Sequence, residues 1–228
     1  MLKPEGRVVM ISGANRGIGL ATARVLAAKG FTLSLGARDT GSLDAAAAGL
    51  PEERVLCCHW QAAEPETSAG WVARTVERFG RLDAVVANAG LSLDARLEDD
   101  DESAYDAMWE VNFKGPLRLV RAAMPRLRQA GSGRVVVLAS LSGKRLLSDS
   151  LGYAASKFAA VALAHAARRV GWDHGVRATA ICPGMVDTDM VAHRNIPPSA
   201  PQHWPHSRSQ RDHPSRSFHI SRLETHTQ

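Results

Sequence analysis

The sequence has few aromatic residues, few cysteines and no long apolar run. Its three cysteines form neither a metal-ligand pattern nor a disulfide framework, so we expect reduced, buried thiols and no metal site. No run approaches the roughly eighteen apolar residues that a membrane span needs, and residues 1–6 lack the apolar stretch of a signal peptide. We therefore expect a soluble cytoplasmic protein without a membrane partner.

The positive charge of the chain is concentrated near its end. The formal net charge is +5, and residues 191–228 carry five arginines against Asp212 and Glu224, which is +3 of that total. Aromatic residues make up only 5% of the chain, and the remainder shows no basic stripe interleaved with them. A nucleic-acid partner is therefore disfavoured.

Short apolar runs alternate with helical patterns along the chain. The strand-like runs are 8–12, 31–35, 54–58, 82–87, 134–139 and 177–181. The helical patterns are 19–29, 42–50, 68–79, 103–129 and 153–170, and Pro116 is placed to kink the fourth. Strands that are apolar throughout belong to parallel sheets covered on both faces. The pattern predicts an α/β fold of three layers, a Rossmann-like doubly wound sheet that binds ligands beyond the carboxyl ends of its strands.

A glycine-rich loop joins the first predicted strand to the first helix. Gly13 permits a tight turn, Gly17 lets the backbone approach a pyrophosphate, and Gly19 allows close packing of helix on strand. The helix N-terminus offers N–H donors and a favourable dipole to phosphate groups. The spacing differs from G-x-G-x-x-G, and a glycine-rich turn that binds nothing is the alternative. The loop residues expected to contact a dinucleotide are Gly13, Asn15, Arg16, Gly17, Ile18 and Gly19.

The end of the second strand bears on the choice of cofactor. A carboxylate there would bind a ribose 2′-hydroxyl, whereas guanidinium groups suit a 2′-phosphate. Arg38 follows this strand, and Arg16 can approach from the glycine loop. We therefore expect NADP(H) rather than NAD(H), although Asp39 would serve a 2′-hydroxyl in a shifted register, and Arg38 would then be a solvated loop residue.

Tyr153 and Lys157 carry the candidate proton chemistry. Residues four apart on a helix share a face, and an ammonium near a phenol favours the phenolate, which can then exchange a proton with a carbonyl or alcohol. Ser140 ends the fifth predicted strand at the same rim of the sheet, where its hydroxyl can bond a substrate oxygen. The simpler interpretations are a surface helix pair and a serine that begins a turn.

These motifs together resemble the classical short-chain dehydrogenase/reductase family over residues 7–190. The matching pieces, in family order, are residues 12–19, Asn88-Ala89-Gly90, Asn112, Ser140, Tyr153 with Lys157, and residues 183–188. The resemblance implies an oxidoreductase that moves a hydride between a nicotinamide cofactor and a small carbonyl or alcohol substrate. Homo-oligomers are typical of the family.

The resemblance also implies individual roles. Tyr153 would be the general acid/base, Lys157 would lower its pKa and bond the nicotinamide ribose, and Ser140 would polarise the substrate oxygen. Asn112 would hold a water that relays protons from Lys157. Further cofactor contacts would come from Asn88, Ala89, Gly90, Pro183, Gly184, Val186 and Thr188. His59 stands where we align the aspartate that family members often place at the adenine.

The sequence departs from the family most strongly at its end. We predict a catalytic domain over residues 1–198 and an irregular, disordered tail over 199–228, produced by a frameshift or by divergence, so that the final family strand is lacking. A metal site in the histidine-rich tail is the lesser alternative. Loss of this segment raises an alternative function, that of a catalytically impaired relative that binds dinucleotide as a sensor or interaction protein.

Overall fold

Six parallel strands form the centre of the molecule in a computed structural model that describes residues 3–192. The strands are β1 (Val8–Ser12), β2 (Thr32–Ala37), β3 (Val55–His59), β4 (Ala84–Ala87), β5 (Arg134–Leu138) and β6 (Arg177–Ile181). Their order in the sheet is β3-β2-β1-β4-β5-β6, and every neighbouring pair is parallel. The predicted tail and its histidines lie outside the described residues.

Helices connect the strands. They are α1 (Gly17–Ala28), α2 (Thr40–Ala47), α3 (Pro65–Phe79), α4 (Ser103–Trp109), α5 (Gly115–Gln129), α6 (Leu151–Gly171) and the short α7 (Asp189–Ala192). The ends of helix α3 are determined by local residues. Pro65 stands in its first turn, and Gly80 ends the helix in the left-handed conformation at φ +75°. The predicted helix 103–129 contains a π-helical turn, Glu110–Lys114, between α4 and α5. The irregularity thus lies just before Pro116.

Two apolar cores hold helices against the two faces of the sheet. One face packs against α1 and α2 through Ala23, Ala27 and Leu43. The other packs against α3, α5 and α6, where Trp71 and Leu119 are fully buried. This three-layer arrangement confirms the predicted doubly wound α/β fold.

The cysteine thiols are unpaired among the described residues, as expected, but only Cys58 is fully buried. Burial raises the pKa of the half-buried Cys57 to about 12, with further contributions from Asp44 and Cys58. Over residues 3–192, no helix is both long enough and apolar enough to cross a membrane.

Candidate cofactor cleft and catalytic site

The glycine loop after β1 has a backbone that side chains would obstruct. Gly13 and Gly17 adopt φ values of +65° and +54°, which L-residues rarely adopt. A Cβ on Gly19 would lie 2.2 Å from the Gly13 carbonyl oxygen. The loop is tied to the neighbouring strand, since the N–H groups of Gly13 and Ala14 both donate to the Gly36 carbonyl. The three predicted glycines therefore each meet a distinct steric requirement.

Helix α1 begins directly behind this loop with donors that are suited to an anion. Arg16 precedes the helix in an extended conformation, and among the described residues no side chain caps the N-terminus. The first turn also contains no acidic residue. The dipole and the N–H groups of this end therefore fit a pyrophosphate. Ile18 packs partly buried against the core below the helix, so its contribution here is apolar anchoring.

Asn88 and Ser12, the first residue of the predicted stretch 12–19, hold the loop in place. The Asn88 side-chain amide donates to the carbonyls of Ser12 at 2.9 Å and Gly13 at 3.1 Å. The Ser12 hydroxyl in turn accepts the backbone N–H groups of Asn88 at 3.0 Å and Ala89 at 3.1 Å. The fully buried Ser12 therefore connects β1 to the end of β4.

The residues after β2 differ in their contacts. Asp39 caps α2 by accepting the Ser42 N–H at 3.2 Å, and these bonds from Ser42 lower the pKa of Asp39. The Asn15 side-chain amide donates to the Ser42 hydroxyl at 3.0 Å, which joins the glycine loop to this turn. Arg38 is exposed, and its carbonyl lies 2.9 Å from Nδ1 of His59. Arg38 is thus an exposed residue at the carboxyl end of β2 whose backbone carbonyl is bonded to His59.

The segment after β6 reaches back to the glycine loop. The Thr188 methyl group lies 3.6 Å from the position of a Cβ on Gly17, and Asp189 lies 3.6 Å from Arg16 in an exposed ion pair. Pro183 accepts the Leu141 N–H at 2.9 Å. Val186, whose carbonyl accepts a 3.4 Å bond from Thr188, is half-buried, whereas Gly184 is exposed. The predicted residues 183–188 therefore extend from the β5 end to the glycine loop.

Lys157 lies buried beside Tyr153 on α6. Its residue is only 4% exposed, and its ammonium donates to the Leu138 carbonyl at 3.0 Å, at the end of β5. Nζ lies 5.7 Å from the centroid of the half-buried Tyr153 ring. Burial lowers the pKa of Lys157 to about 8, against a small opposing effect of Cys182. An ammonium at neutral pH is therefore held next to the phenol.

Asn112 bridges this helix to the loop after β4. Its side-chain amide donates to the Leu91 carbonyl at 2.9 Å and to the Ser156 hydroxyl at 3.0 Å, while Oδ1 accepts the Leu91 N–H at 2.8 Å. The Ser156 hydroxyl donates a hydrogen bond to the Tyr153 carbonyl at 2.8 Å. Ser156 was not predicted as a site residue, because one serine within a helical pattern carries no recognisable signal.

Gly90 brings the two ends of the cleft together. A Cβ on Gly90 would lie 3.1 Å from Oδ1 of Asn112 and 3.3 Å from Nζ of Lys157. On the other side, Ala89 lies 3.0 Å from the position of a Cβ on Gly13. The Asn88-Ala89-Gly90 segment thus joins the glycine loop to the lysine.

Ser140 occupies the end of β5, next to this group. It is extended and half-buried, and its hydroxyl accepts the Ser142 N–H at 3.1 Å, so it does begin a turn. Gly143 closes the turn on α6, since its Cβ would lie 2.6 Å from the Lys157 carbonyl.

The fold and this cleft define a Rossmann-type α/β domain. Strand order 3-2-1-4-5-6 reverses at β1, where the glycine loop lies. Among residues 3–192, no group of three or more His, Cys, Asp or Glu is placed to hold a metal ion.

Comparison with known proteins assigns the domain to a family. The family model for short chain dehydrogenase matches residues 7–198, and the chain belongs to this family, in its classical form. An agropine synthesis reductase of Rhizobium rhizogenes is 42% identical over 189 residues, which cover 82% of this chain but 44% of the relative. The chain therefore spans less than half the length of that relative.

Two solved structures are similar to this chain in both fold and sequence. An alcohol dehydrogenase from the archaeon Thermococcus sibiricus, complexed with 5-hydroxy-NADP, is 38% identical with a TM-score of 0.75, covering 80% of this chain and 77% of its own. A levodione reductase is 33% identical with a TM-score of 0.78, covering 82% and 74%.

Proposed function

We propose that the protein is a nicotinamide-dependent oxidoreductase that interconverts a carbonyl and an alcohol, with Tyr153 as the general acid/base. The observation that carries this proposal is the buried Lys157 ammonium, 5.7 Å from the Tyr153 ring centroid and reached from the glycine loop through Gly90. The family relationship and the two solved oxidoreductases support it.

The cleft fits a dinucleotide on grounds of its own geometry. Gly13 and Gly17 adopt positive φ and Gly19 packs closely on the Gly13 carbonyl, which makes the loop tight, and the α1 N-terminus has no acidic residue to repel a phosphate. A bound nicotinamide would supply or accept the hydride. The loop 13–19 would hold the pyrophosphate, and Lys157 with residues 183–188 would hold the nicotinamide end.

Tyr153, Lys157 and Ser140 would divide the proton chemistry. Tyr153 would exchange the proton with the substrate oxygen, and the Lys157 ammonium beside its ring would favour the phenolate. Ser140, whose oxygen already accepts the Ser142 N–H, would donate to the substrate oxygen. Asn112 would hold the water through which Lys157 exchanges protons with solvent.

NADP(H) is the cofactor that the charges favour. Asp39 is engaged as the cap of α2, which leaves the exposed guanidinium of Arg38 as the charge at the end of β2. Arg16 lies in the glycine loop, where among residues 3–192 it forms an exposed ion pair with Asp189 that is worth at most about 1 kcal/mol. The Thermococcus neighbour carries an NADP derivative, which supports the same preference. Arg38→Gln should weaken NADPH binding about tenfold and leave NADH binding nearly unchanged.

The decisive experiment follows oxidation of NADPH and NADH by the purified full-length protein across a panel of ketones and aldehydes. Tyr153→Phe should abolish turnover while NADPH binding, measured by calorimetry, stays within about twofold. Full activity in this variant would contradict the assigned mechanism. Dinucleotide binding by the wild type without turnover on any substrate would favour the sensor or interaction protein instead.

A further inference from the structure

The helix that carries Asn112 is irregular at the site itself. In the π turn Glu110–Lys114, the Gly115 N–H donates to the Glu110 carbonyl, five residues back. Pro116 has no N–H, so the Asn112 carbonyl lacks the donor that an α-helix would provide. The regular α-helical bonding is thus interrupted at Asn112 itself.

An ion cluster spans this turn on its outer side. The Glu110 carboxylate binds the Arg118 guanidinium and, at 3.2 Å, the Lys114 ammonium. Arg118 also donates to the Ala62 carbonyl at 2.8 Å, so it fastens the helix to the connection between β3 and α3. Gly115 packs there as well, because its Cβ would lie only 2.5 Å from that of Ala62.

The inner side of the same turn is tied to the catalytic residues. Asn112, only 1% exposed, uses both of its amide protons and Oδ1 on Leu91 and Ser156. Any rotation of the turn would break these bonds. The π turn contains one residue more than an α-helical turn, and each residue of an α-helix turns the chain by about 100°. Conversion of the π turn to a regular α-helix would therefore rotate Asn112 by about this angle and direct its side chain away from Lys157.

The cluster is arranged to persist at neutral pH. Glu110 and Arg118 are half-buried, with side-chain exposures of 24% and 22%. Burial acts to raise the pKa of Glu110, but hydrogen bonds from Arg118 and Lys114 outweigh it and hold the pKa below its ordinary value. The Glu110 carboxylate is therefore charged at neutral pH.

We propose that Glu110 and Arg118 are positioning residues that hold the π turn and thereby keep Asn112 on the proton path from Lys157. This inference rests on the proposed function, because it assigns the pair to the proton transfer of that site. Asn112 lies within the turn that Glu110 and Arg118 span, so the pair acts on the site through Asn112.

The test compares the full-length wild type with Arg118→Gln, Arg118→Lys and Glu110→Gln. Lys114→Gln is the matched control, since it removes a cation from Glu110 but leaves the bond between Arg118 and Ala62. We expect Arg118→Gln and Glu110→Gln to lower kcat about tenfold with KM for NADPH within about twofold, while Lys114→Gln stays near the wild type. Arg118→Lys should restore part of the loss.

Two readouts separate positioning from a general loss of structure. Imidazole buffer at increasing concentration should restore kcat in Arg118→Gln, because a small base can carry protons that the path no longer carries. Amide hydrogen exchange over residues 110–116 should be faster in Arg118→Gln and unchanged in β1.

Unaltered exchange, or a loss of kcat that imidazole does not restore, would overturn the proposal while the proposed function stands. A wild type that shows no turnover would overturn the proposed function, and this inference with it.

Discussion

Replacing Lys157 by methionine should make the folded protein more stable at neutral pH while abolishing its activity. The side chain is buried, and among the described hydrogen bonds its ammonium has one acceptor, the Leu138 carbonyl at 3.0 Å. A buried charge with so few partners is costly, and this cost is what lowers the pKa of Lys157 from 10.5 to about 8. Methionine has a similar length and removes the charge.

The magnitude follows from linkage. A folded pKa of about 8 against 10.5 in the unfolded chain corresponds to about 3 kcal/mol. Below pH 8 the lysine is charged in both states, so the full cost is present. Between pH 8 and 10.5 the unfolded chain binds more protons than the folded one, so the free energy of unfolding gains this amount as the pH rises. Losing the bond to Leu138 removes about 1 kcal/mol in the variant.

The assay is urea unfolding of wild type and Lys157→Met at pH values from 7 to 11. The variant should be more stable by about 2 kcal/mol at pH 7 and less stable by about 1 kcal/mol near pH 11. Taking the difference between the two proteins removes the titration of all shared groups. Lys29→Met, at an exposed lysine, is the control for removing an ammonium from the surface. A variant that is less stable at pH 7, or a difference that does not change with pH, would refute the reasoning.

The glycine loop supports two further predictions. Ser12→Ala removes a buried hydroxyl that accepts two backbone N–H groups and should lower the free energy of unfolding by about 2 kcal/mol, measured in urea, whereas Ser12→Thr retains the acceptor. Gly19→Ala would place a Cβ 2.2 Å from the Gly13 carbonyl oxygen, so NADPH affinity measured by calorimetry should fall more than about tenfold. A correctly folded Gly19→Ala protein with wild-type affinity would show that the loop tolerates displacement.

Periodicity was sufficient to predict the layers but not the ends of the elements. All six strands and the alternation with helices are as the apolar runs indicate, because burial on both faces leaves a continuous apolar signal. The predicted second strand stops at residue 35, but β2 continues to Ala37, since Gly36 and Ala37 pair with β3. Glycine in a sequence usually indicates a turn, and only the structure shows that Gly36 is paired with the neighbouring strand β3.

The chemistry of the cleft was predictable where local spacing determines it. Tyr153 and Lys157 lie on one helix, and the glycine loop is contiguous, so each could be read from a few residues. The contacts of Ser12 and Arg118 could not, because their partners are distant in sequence: Ser12 binds a segment 76 residues away, and Arg118 binds Ala62, 56 residues away. Such contacts depend on strand order, which no short window contains.

The arrangement around Lys157 explains why a tyrosine and a lysine four residues apart do not by themselves make a site. Lys157 is approached closely by two glycines: a Cβ on Gly143 would lie 2.6 Å from the lysine carbonyl oxygen, and a Cβ on Gly90 would crowd Nζ at 3.3 Å. Gly90 follows β4 and Gly143 follows β5, so the lysine is positioned only when both strands pair in register. A tyrosine and a lysine with the same spacing on an exposed helix would have neither glycine beside them, and the ammonium would remain hydrated. The site is therefore a property of the sheet's carboxyl edge as much as of the helix that carries the two side chains.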